Sequence, residues 1–190
     1  RWLGYRNPHD RPVPRPSLAR GARMSAPLRL VDARVLTPEG LVETPLRMRP
    51  GVVCEDGPGR EVDPSGCLVL AGIVDIHGDG FERHLAPRRR AVTDLGAGLC
   101  DALTSDYHSP SLREATLQLA DQGACDPIAT WRLVSAGPAR LLGPGARGTP
   151  APGQRADLAI LDRSSGDVCA TLSAGGVTHM RGEMARRLIG

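Results

Sequence analysis

The chain has 190 residues and a formal net charge of +3, from 24 basic and 21 acidic residues. This length allows one or two domains and lies below the roughly 250 residues of a complete (β/α)8 barrel. Six of the basic residues lie in residues 1–23, so the remainder carries no broad basic field for nucleic acid, and no apolar run reaches the roughly 18 residues of a membrane span.

Residues 1–23 combine six arginines with four prolines and predict a disordered basic arm. A nucleic-acid arm is the functional alternative, and sequence upstream of a natural beginning at Met24 is the simpler one. Five scattered cysteines without a Cys-x-x-Cys pair indicate reduced thiols, and therefore a cytoplasmic protein.

Both ends of the folded part read as short strands. Apolar runs bounded by Gly and Pro predict strands over 28–36, 41–49 and 51–55, and again over 156–161, 167–172 and 177–180. Gly175-Gly176 fits a hairpin turn. Because neither set can bury a face alone, we expect 28–56 and 156–180 to share one sheet or sandwich.

A metal-type motif follows the apolar run 68–74, which predicts a buried strand. His77 and Asp79 come next, two residues apart, so an extended chain would present them on the same side. An imidazole and a carboxylate side by side suit a divalent cation such as Zn²⁺ or Mn²⁺. The alternative is a hydrogen-bonded pair at a strand end without metal.

The middle of the chain predicts one more strand and two helices. Residues 100–105 read as a strand ending at Asp106. Pro110 opens a helix to about Ala120, and Asp126 caps a second helix over about 127–136. A Gly/Pro-rich loop covers 143–153.

Three sequence blocks carry a family resemblance. Asp-Pro-Ser-Gly-Cys-Leu-Val-Leu-Ala-Gly-Ile-Val-Asp-Ile-His at 63–77 resembles the first barrel strand of the amidohydrolase superfamily, with Ala-Gly in place of its usual Pro-Gly. Residue 79 is Asp where the superfamily usually has His. The segment formed by Asp79 and the run 80–88 resembles the corresponding segment of one branch of the superfamily. That branch is the ribose 1-methylphosphonate 5-triphosphate diphosphatases of the carbon–phosphorus lyase pathway. Blocks 101–112 and 153–162 are similar to the last barrel strand and the C-terminal strand motif.

The resemblance implies an α/β fold with an incomplete (β/α)8 barrel. Residues 71–146 would be the barrel remnant, and 24–70 with 147–190 would form a small β-sandwich-like domain from both chain ends. Only some sixty residues separate His77 from the end of the second predicted helix, which is room for two or three β/α units. The sequence therefore resembles the segment that includes the family's first barrel strand, and then, after a junction near 90–94, the segment that includes its eighth. The strands between them have no counterpart.

The resemblance also implies a site. The metal ligands would be His77, Asp79 and Asp106, which we expect to converge, and Asp106 would also accept the proton of the attacking water. Glu82, His84 and Arg88 would contact the substrate, a phosphorylated ribose phosphonate. For Asp106 the alternative is a turn cap, for His84 an ordinary loop histidine, and for Arg88 a solvated surface charge.

Three functions stay open at this point. The first is a phosphonate-metabolism hydrolase that releases diphosphate, with little activity expected because most of the barrel is missing. The second is a non-catalytic remnant of an internally deleted gene. The third is a small module that binds a metal or a phosphate.

Overall fold

The computed structural model describes residues 26–76, 100–105, 110–121, 123, 126–143 and 145–189. The strands in this part are Leu28–Leu30 (β1), Arg34–Thr37 (β2), Gly40–Glu43 (β3), Leu46–Arg49 (β4), Val52–Cys54 (β5), Arg60–Val62 (β6), Cys67–Ala71 (β7), Leu158–Asp162 (β8), Val168–Ser173 (β9) and Gly176–Met180 (β10). The helices are Pro110–Asp121 (α1), Pro127–Arg132 (α2), Ala136–Leu141 (α3) and Gly182–Ile189 (α4).

The strands form two mixed sheets. One has the order β5-β4-β1-β6 and the other β10-β9-β8-β7-β2-β3. The larger sheet joins the two ends of the chain, because β7 pairs antiparallel with β8 through Val69 and Ile160 and parallel with β2 through Val69 and Val35. The prediction that 28–56 and 156–180 share a sheet is confirmed. The domain boundaries drawn from the sequence stay predictions.

The main core lies between the two sheets. The short strands alternate, so that Leu46 and Met48 of β4 are buried while Arg49 is exposed. Side chains from both sheets and from helix α4 make one cluster, which includes Leu30, Met48, Val53, Val69, Leu158, Ile160, Met184 and Leu188.

A second apolar layer covers the other face of the larger sheet. Leu70 and Leu161 pack there with Leu112 of α1 and with Trp131 of α2. Strand β7 is therefore buried on both faces, which explains its unbroken apolar sequence. The described part of the chain is a mixed α/β fold of two sheets and flanking helices, without a closed barrel.

The predicted barrel strand over 68–74 needs correction. Strand β7 ends at Ala71, and it is an inner strand of the six-stranded sheet. The chain leaves the sheet at Gly72, whose N–H donates to the carbonyl oxygen of Asp157 at 2.8 Å. Two residues later, Val74 N–H donates to the carbonyl oxygen of Val134 at 2.8 Å, so this segment is bonded to a helical turn.

The predicted strand over 100–105 is wrong. These residues have no strand partner in the described structure, and Leu103 N–H donates instead to the carbonyl oxygen of Leu133 at 2.7 Å. A short apolar run is compatible with a strand and with an irregular buried segment. Its own residues do not show which other part of the chain will accept or donate its backbone hydrogen bonds.

The helix predictions are confirmed in part. Helix α1 matches, and the Asp126 side chain caps α2 by accepting from the N–H of Ile128 at 2.9 Å. The second helix, predicted over about 127–136, ends at Arg132 as α2, and after a turn a separate helix, α3, begins at Ala136. Pro138 explains the interruption, because in one continuous helix its ring would clash with the carbonyl group of Val134.

Two features near the C-terminal side differ from expectation. The hairpin between β9 and β10 turns at Ala174 and Gly175, with φ of 49° and 75°, one residue earlier than predicted. Helix α4 was not predicted, although Met184 and Leu188 show the i, i+4 spacing of a helix that buries one face.

Candidate functional site

All the site residues proposed from the sequence lie outside the described residues. His77, Asp79, Glu82, His84 and Arg88 fall in 77–99, and Asp106 falls in 106–109. Their convergence and their roles therefore stay predictions. Within the described ranges, no three His, Cys, Asp or Glu side chains are grouped so that they could hold a metal ion.

The described segments next to these positions do meet. Ser105 N–H donates to Asp75 Oδ1 at 3.3 Å, and the Ser105 hydroxyl donates to Asp75 Oδ2. Ser105 is buried and Asp75 is exposed. The two residues precede the metal-type motif and the predicted proton acceptor in sequence. The chain thus joins, through one bidentate contact, two segments that are 30 residues apart.

The turn between α2 and α3 holds both segments in place. Its carbonyl groups at Leu133 and Val134 accept from Leu103 and Val74, as described above. Helix α3 approaches closely from the same side, because a Cβ on Gly137 would overlap the carbonyl oxygen of Asp101. The absence of a side chain at residue 137 is what allows this approach.

A cleft of about 760 Å³ opens beside Asp75. Besides Asp75, its ionisable lining residues come from α1, from the connections on either side of β8, and from the end of β10: Arg113, Arg147, Asp157, Asp167, His179 and Arg181. A volume of this size is in the range of small-molecule sites.

Two carboxylates of the cleft, Asp157 and Asp167, are bound to arginines. Asp157 accepts from Arg155 Nε at 2.9 Å and from the N–H of Ala174 at 2.7 Å. Asp167 pairs with Arg181 at 2.7 Å and lies 3.7 Å from Arg113. The hydrogen bond from Arg181 is the main reason that the pKa of Asp167 is lowered, so this carboxylate stays ionised and is a poor general base at neutral pH.

A second cleft, of about 730 Å³, lies between the larger sheet and helices α1 and α2. Its lining is mainly apolar and includes Leu36, Leu68, Leu70, Leu117 and Trp131. At its rim the Ser164 hydroxyl donates to Asp162 Oδ1 at 2.6 Å, and this contact belongs to the turn after β8. We assign the cleft no chemistry.

The pKa of the Cys67 thiol is raised, and this disfavours reactivity. Its pKa is raised to about 12, mainly by burial and also by the nearby Cys169 thiol. A thiol with this pKa is protonated at neutral pH and is a poor nucleophile. It belongs to the core between the sheets.

Sequence reasoning missed both members of the Asp75–Ser105 contact. A signal existed for Asp75, because it precedes His77 by two residues and would share its side of an extended chain. No comparable signal marks Ser105, whose role depends on a partner far away in sequence.

Comparison with solved structures finds a similar fold in β-aspartyl dipeptidases. One similar structure is a β-aspartyl dipeptidase from the thermophilic keratin-degrading Fervidobacterium islandicum AW-1, in complex with β-Asp-Leu dipeptide. It shares 11% identity and a TM-score of 0.62, over 81% of this chain and 97% of that chain. Another structure of a β-aspartyl dipeptidase from this source has a TM-score of 0.50 at 10% identity, over 81% and 97% of the two chains.

The other comparisons return nothing. No protein-family model matches the chain, and no curated protein matches it in sequence. At 10–11% identity the structural likeness concerns the fold and does not extend to the reaction. Among the described residues, no helix is long and apolar enough to cross a membrane.

Proposed function

We propose that the chain derives from a metal-dependent phosphoanhydride hydrolase of the amidohydrolase type, one that releases diphosphate from ribose 1-methylphosphonate 5-triphosphate. The sequence blocks supply the substrate class, and the amidohydrolase-like fold is compatible with them. The observation that carries the proposal is the Asp75–Ser105 contact. It joins the two segments that lead, within one or two residues, into the proposed ligands.

The proposed donor set suits a divalent cation. His77 supplies an imidazole, and Asp79 and Asp106 supply carboxylates, which are ligands that Zn²⁺ and Mn²⁺ accept. A bound cation would lower the pKa of a water molecule and polarise a phosphate oxygen. Three protein ligands are the usual number for a catalytic zinc site.

The chain's own residues would then handle the proton and the substrate. Asp106 would accept the proton of the attacking water while the phosphoanhydride bond breaks and diphosphate leaves. Arg88 would pair with a phosphate oxygen, and Glu82 and His84 would orient the ribose phosphonate. The product is a ribose 1-methylphosphonate that keeps one 5-phosphate.

We infer further that this chain turns the substrate over far more slowly than a complete enzyme. Between residues 100 and 146 the described structure has helices and a turn where barrel strands would stand. Catalysis requires the reacting groups to be held closely, and a misplacement of about 1 Å can cost roughly a hundredfold in rate. A non-catalytic module that binds a metal or phosphate is therefore the second candidate.

Metal binding and turnover are tested separately. The purified chain is loaded with Zn²⁺ or Mn²⁺, and metal content and diphosphate release are both measured. We expect close to one metal per chain, lost in His77→Ala and in Asp106→Asn, and retained in the matched control Asp121→Asn on helix α1. Diphosphate release is expected to be far below the usual enzymatic range of about 1–1,000 per second.

Each result has a defined meaning. Stoichiometric metal without turnover supports the binding module. Turnover in the enzymatic range that disappears in His77→Ala shows that the chain is a working hydrolase and that the slow rate inferred here is wrong. The absence of bound metal in the unaltered chain would overturn the metal site and leave the non-catalytic remnant.

A further inference from the structure

Three arginines stand on the outer face of the four-stranded sheet. In β1 and β4 the alternate residues Leu28, Leu30, Leu46 and Met48 point into the core. The strand period of two therefore places Arg29, Arg47 and Arg49 together on the opposite side, which we call the arginine face.

The register brings two of these residues directly opposite each other. Arg29 and Arg47 are partners in the antiparallel pairing of β1 with β4, so their Cβ atoms are about 4.5–5.5 Å apart. Arg49 follows Arg47 by two residues, about 6.7 Å along the same strand. Like charges directly opposite each other destabilise a sheet, so this arrangement favours an anion above it.

Only one of the three charges has a carboxylate partner among the described residues. Arg29 Nη1 is 2.7 Å from Glu61 Oε1. Arg47 Nη1 donates to the backbone oxygen of Glu55 at 3.0 Å, and Arg49 Nε donates to Cys54 Sγ at 3.0 Å. Neutral acceptors leave the charges of Arg47 and Arg49 uncompensated, and most of their N–H donors are not used by these bonds.

Arg29 is engaged by Glu61, and its Nε lies out of reach of a docked partner. Its Nε is buried and has no hydrogen-bond partner in the described part of the chain. A buried donor without a partner has a cost of desolvation, and native proteins contain few of them. Its guanidinium is therefore incompletely satisfied by Glu61, in a position between strands β4 and β6.

We propose that the arginine face binds an extended acidic segment of a partner protein. Alternate carboxylates on an extended peptide are about 6.7 Å apart, which matches the spacing of Arg47 and Arg49. A guanidinium can grip a carboxylate through two parallel hydrogen bonds. The two arginines without a carboxylate partner, Arg47 and Arg49, provide too few positive charges for the continuous negative charge of a nucleic-acid backbone.

The test uses a fluorescent peptide of about ten residues in which glutamate alternates with serine. Its anisotropy is measured against the full chain at low ionic strength. We expect saturable binding that weakens by about five- to thirtyfold in the double variant Arg47→Gln/Arg49→Gln. The matched control, Arg132→Gln/Arg140→Gln, removes two exposed arginines from helices α2 and α3 and should bind as the unaltered chain does.

A charge-exchange variant distinguishes the loss of direct contacts from an indirect effect of removing the arginines. The variant Arg47→Glu/Arg49→Glu should reject the acidic peptide and bind the corresponding peptide with arginine in place of glutamate. Circular dichroism and urea unfolding of each variant verify its fold. Equal binding by the double variant and the control would overturn the proposal. Full competition by inorganic phosphate, or tighter binding of a single-stranded oligonucleotide, would also overturn it.

Discussion

The indole Nε1–H of Trp131 donates a hydrogen bond to the carbonyl oxygen of Ala71, at 3.0 Å. Ala71 is the last residue of the inner strand β7, and Trp131 is 5% exposed in the layer between the larger sheet and the helices. One bond therefore fixes helix α2 to the point where the chain leaves the sheet toward Asp75. The placement of the described segment from Gly72 to Asp75 relative to helix α2 depends on this contact.

We expect Trp131→Phe to destabilise the fold by about 1–3 kcal/mol, because the ring stays apolar while the carbonyl group of Ala71 loses a buried donor. Urea unfolding measures the change in the free energy of unfolding. Ile128→Val, on the same helix, removes one methyl group and serves as the control for packing alone. Equal unfolding midpoints for Trp131→Phe and the unaltered chain would show that the hydrogen bond contributes nothing.

A second prediction concerns the approach of helix α3 to the segment 100–105. Gly137→Ala should destabilise the fold by about 1–3 kcal/mol through overpacking, because the added methyl group overlaps the carbonyl oxygen of Asp101. The loss should exceed the gain of up to about 1 kcal/mol that alanine brings to a helix. Amide hydrogen exchange over 100–105 should become faster.

The matched control for this variant is Gly145→Ala. A Cβ at residue 145 would lie 3.8 Å from its nearest neighbour, the carbonyl oxygen of Gly143, so it has room. Comparable stability of the two variants would contradict the close approach of α3 to Asp101.

The strands could largely be predicted from the sequence, because alternating apolar residues bounded by Gly and Pro are local signals. The assignment of β7 could not. Both its faces are buried, Val69 against the smaller sheet and Leu70 against the helices. An unbroken apolar sequence of this kind is expected both for an inner strand of an open sheet and for a barrel strand, so the sequence does not distinguish the two. Its true partners, β2 and β8, are separated from it by about thirty and ninety residues.

The candidate site was predicted only through its motif. The pattern around His77 identifies a type of chemistry, but the contact that joins the segments depends on Asp75 and Ser105, to which the sequence blocks assign no role. Tertiary hydrogen bonds between loops leave no periodic signal, since each residue needs only one suitable partner at a distance. This is also why the strand predicted over 100–105 is absent.

A third prediction concerns helix α4, which Arg187 ties to the connection between β6 and β7. Its Nη1 donates to the backbone oxygens of Asp63 at 2.9 Å and Ser65 at 3.2 Å. We expect Arg187→Met to cost about 1–2 kcal/mol and to speed amide exchange over 60–66, since two backbone acceptors lose a charged donor. Arg186→Met is the control, because within the described ranges Arg186 is bonded only to Glu183 on its own helix. An equal effect of both changes would mean that the tie is not specific.

The last prediction concerns stability in acid. A hydrogen bond from the Ser164 hydroxyl, followed by the N–H groups of Ser165 and Ser164, lowers the pKa of Asp162 from 3.8 to about 2. A lowered pKa in the folded state stabilises the fold above the unfolded value, and this contribution is lost as the pH falls through the folded value. Asp162→Asn should therefore be less stable than the unaltered chain at pH 7, and the difference should shrink between about pH 4 and pH 2.

Urea unfolding across pH 2 to 7 measures this difference directly. Ser164→Ala removes the largest cause of the shift, so it should show a smaller loss over the same pH range. Ser173→Ala, at the exposed end of β9, is the control for a serine-to-alanine change. A difference between Asp162→Asn and the unaltered chain that stays constant from pH 7 to pH 2 would mean that the carboxylate does not stabilise the turn after β8. The hydroxyl and amide groups around it would then form a turn that is stable without the charge.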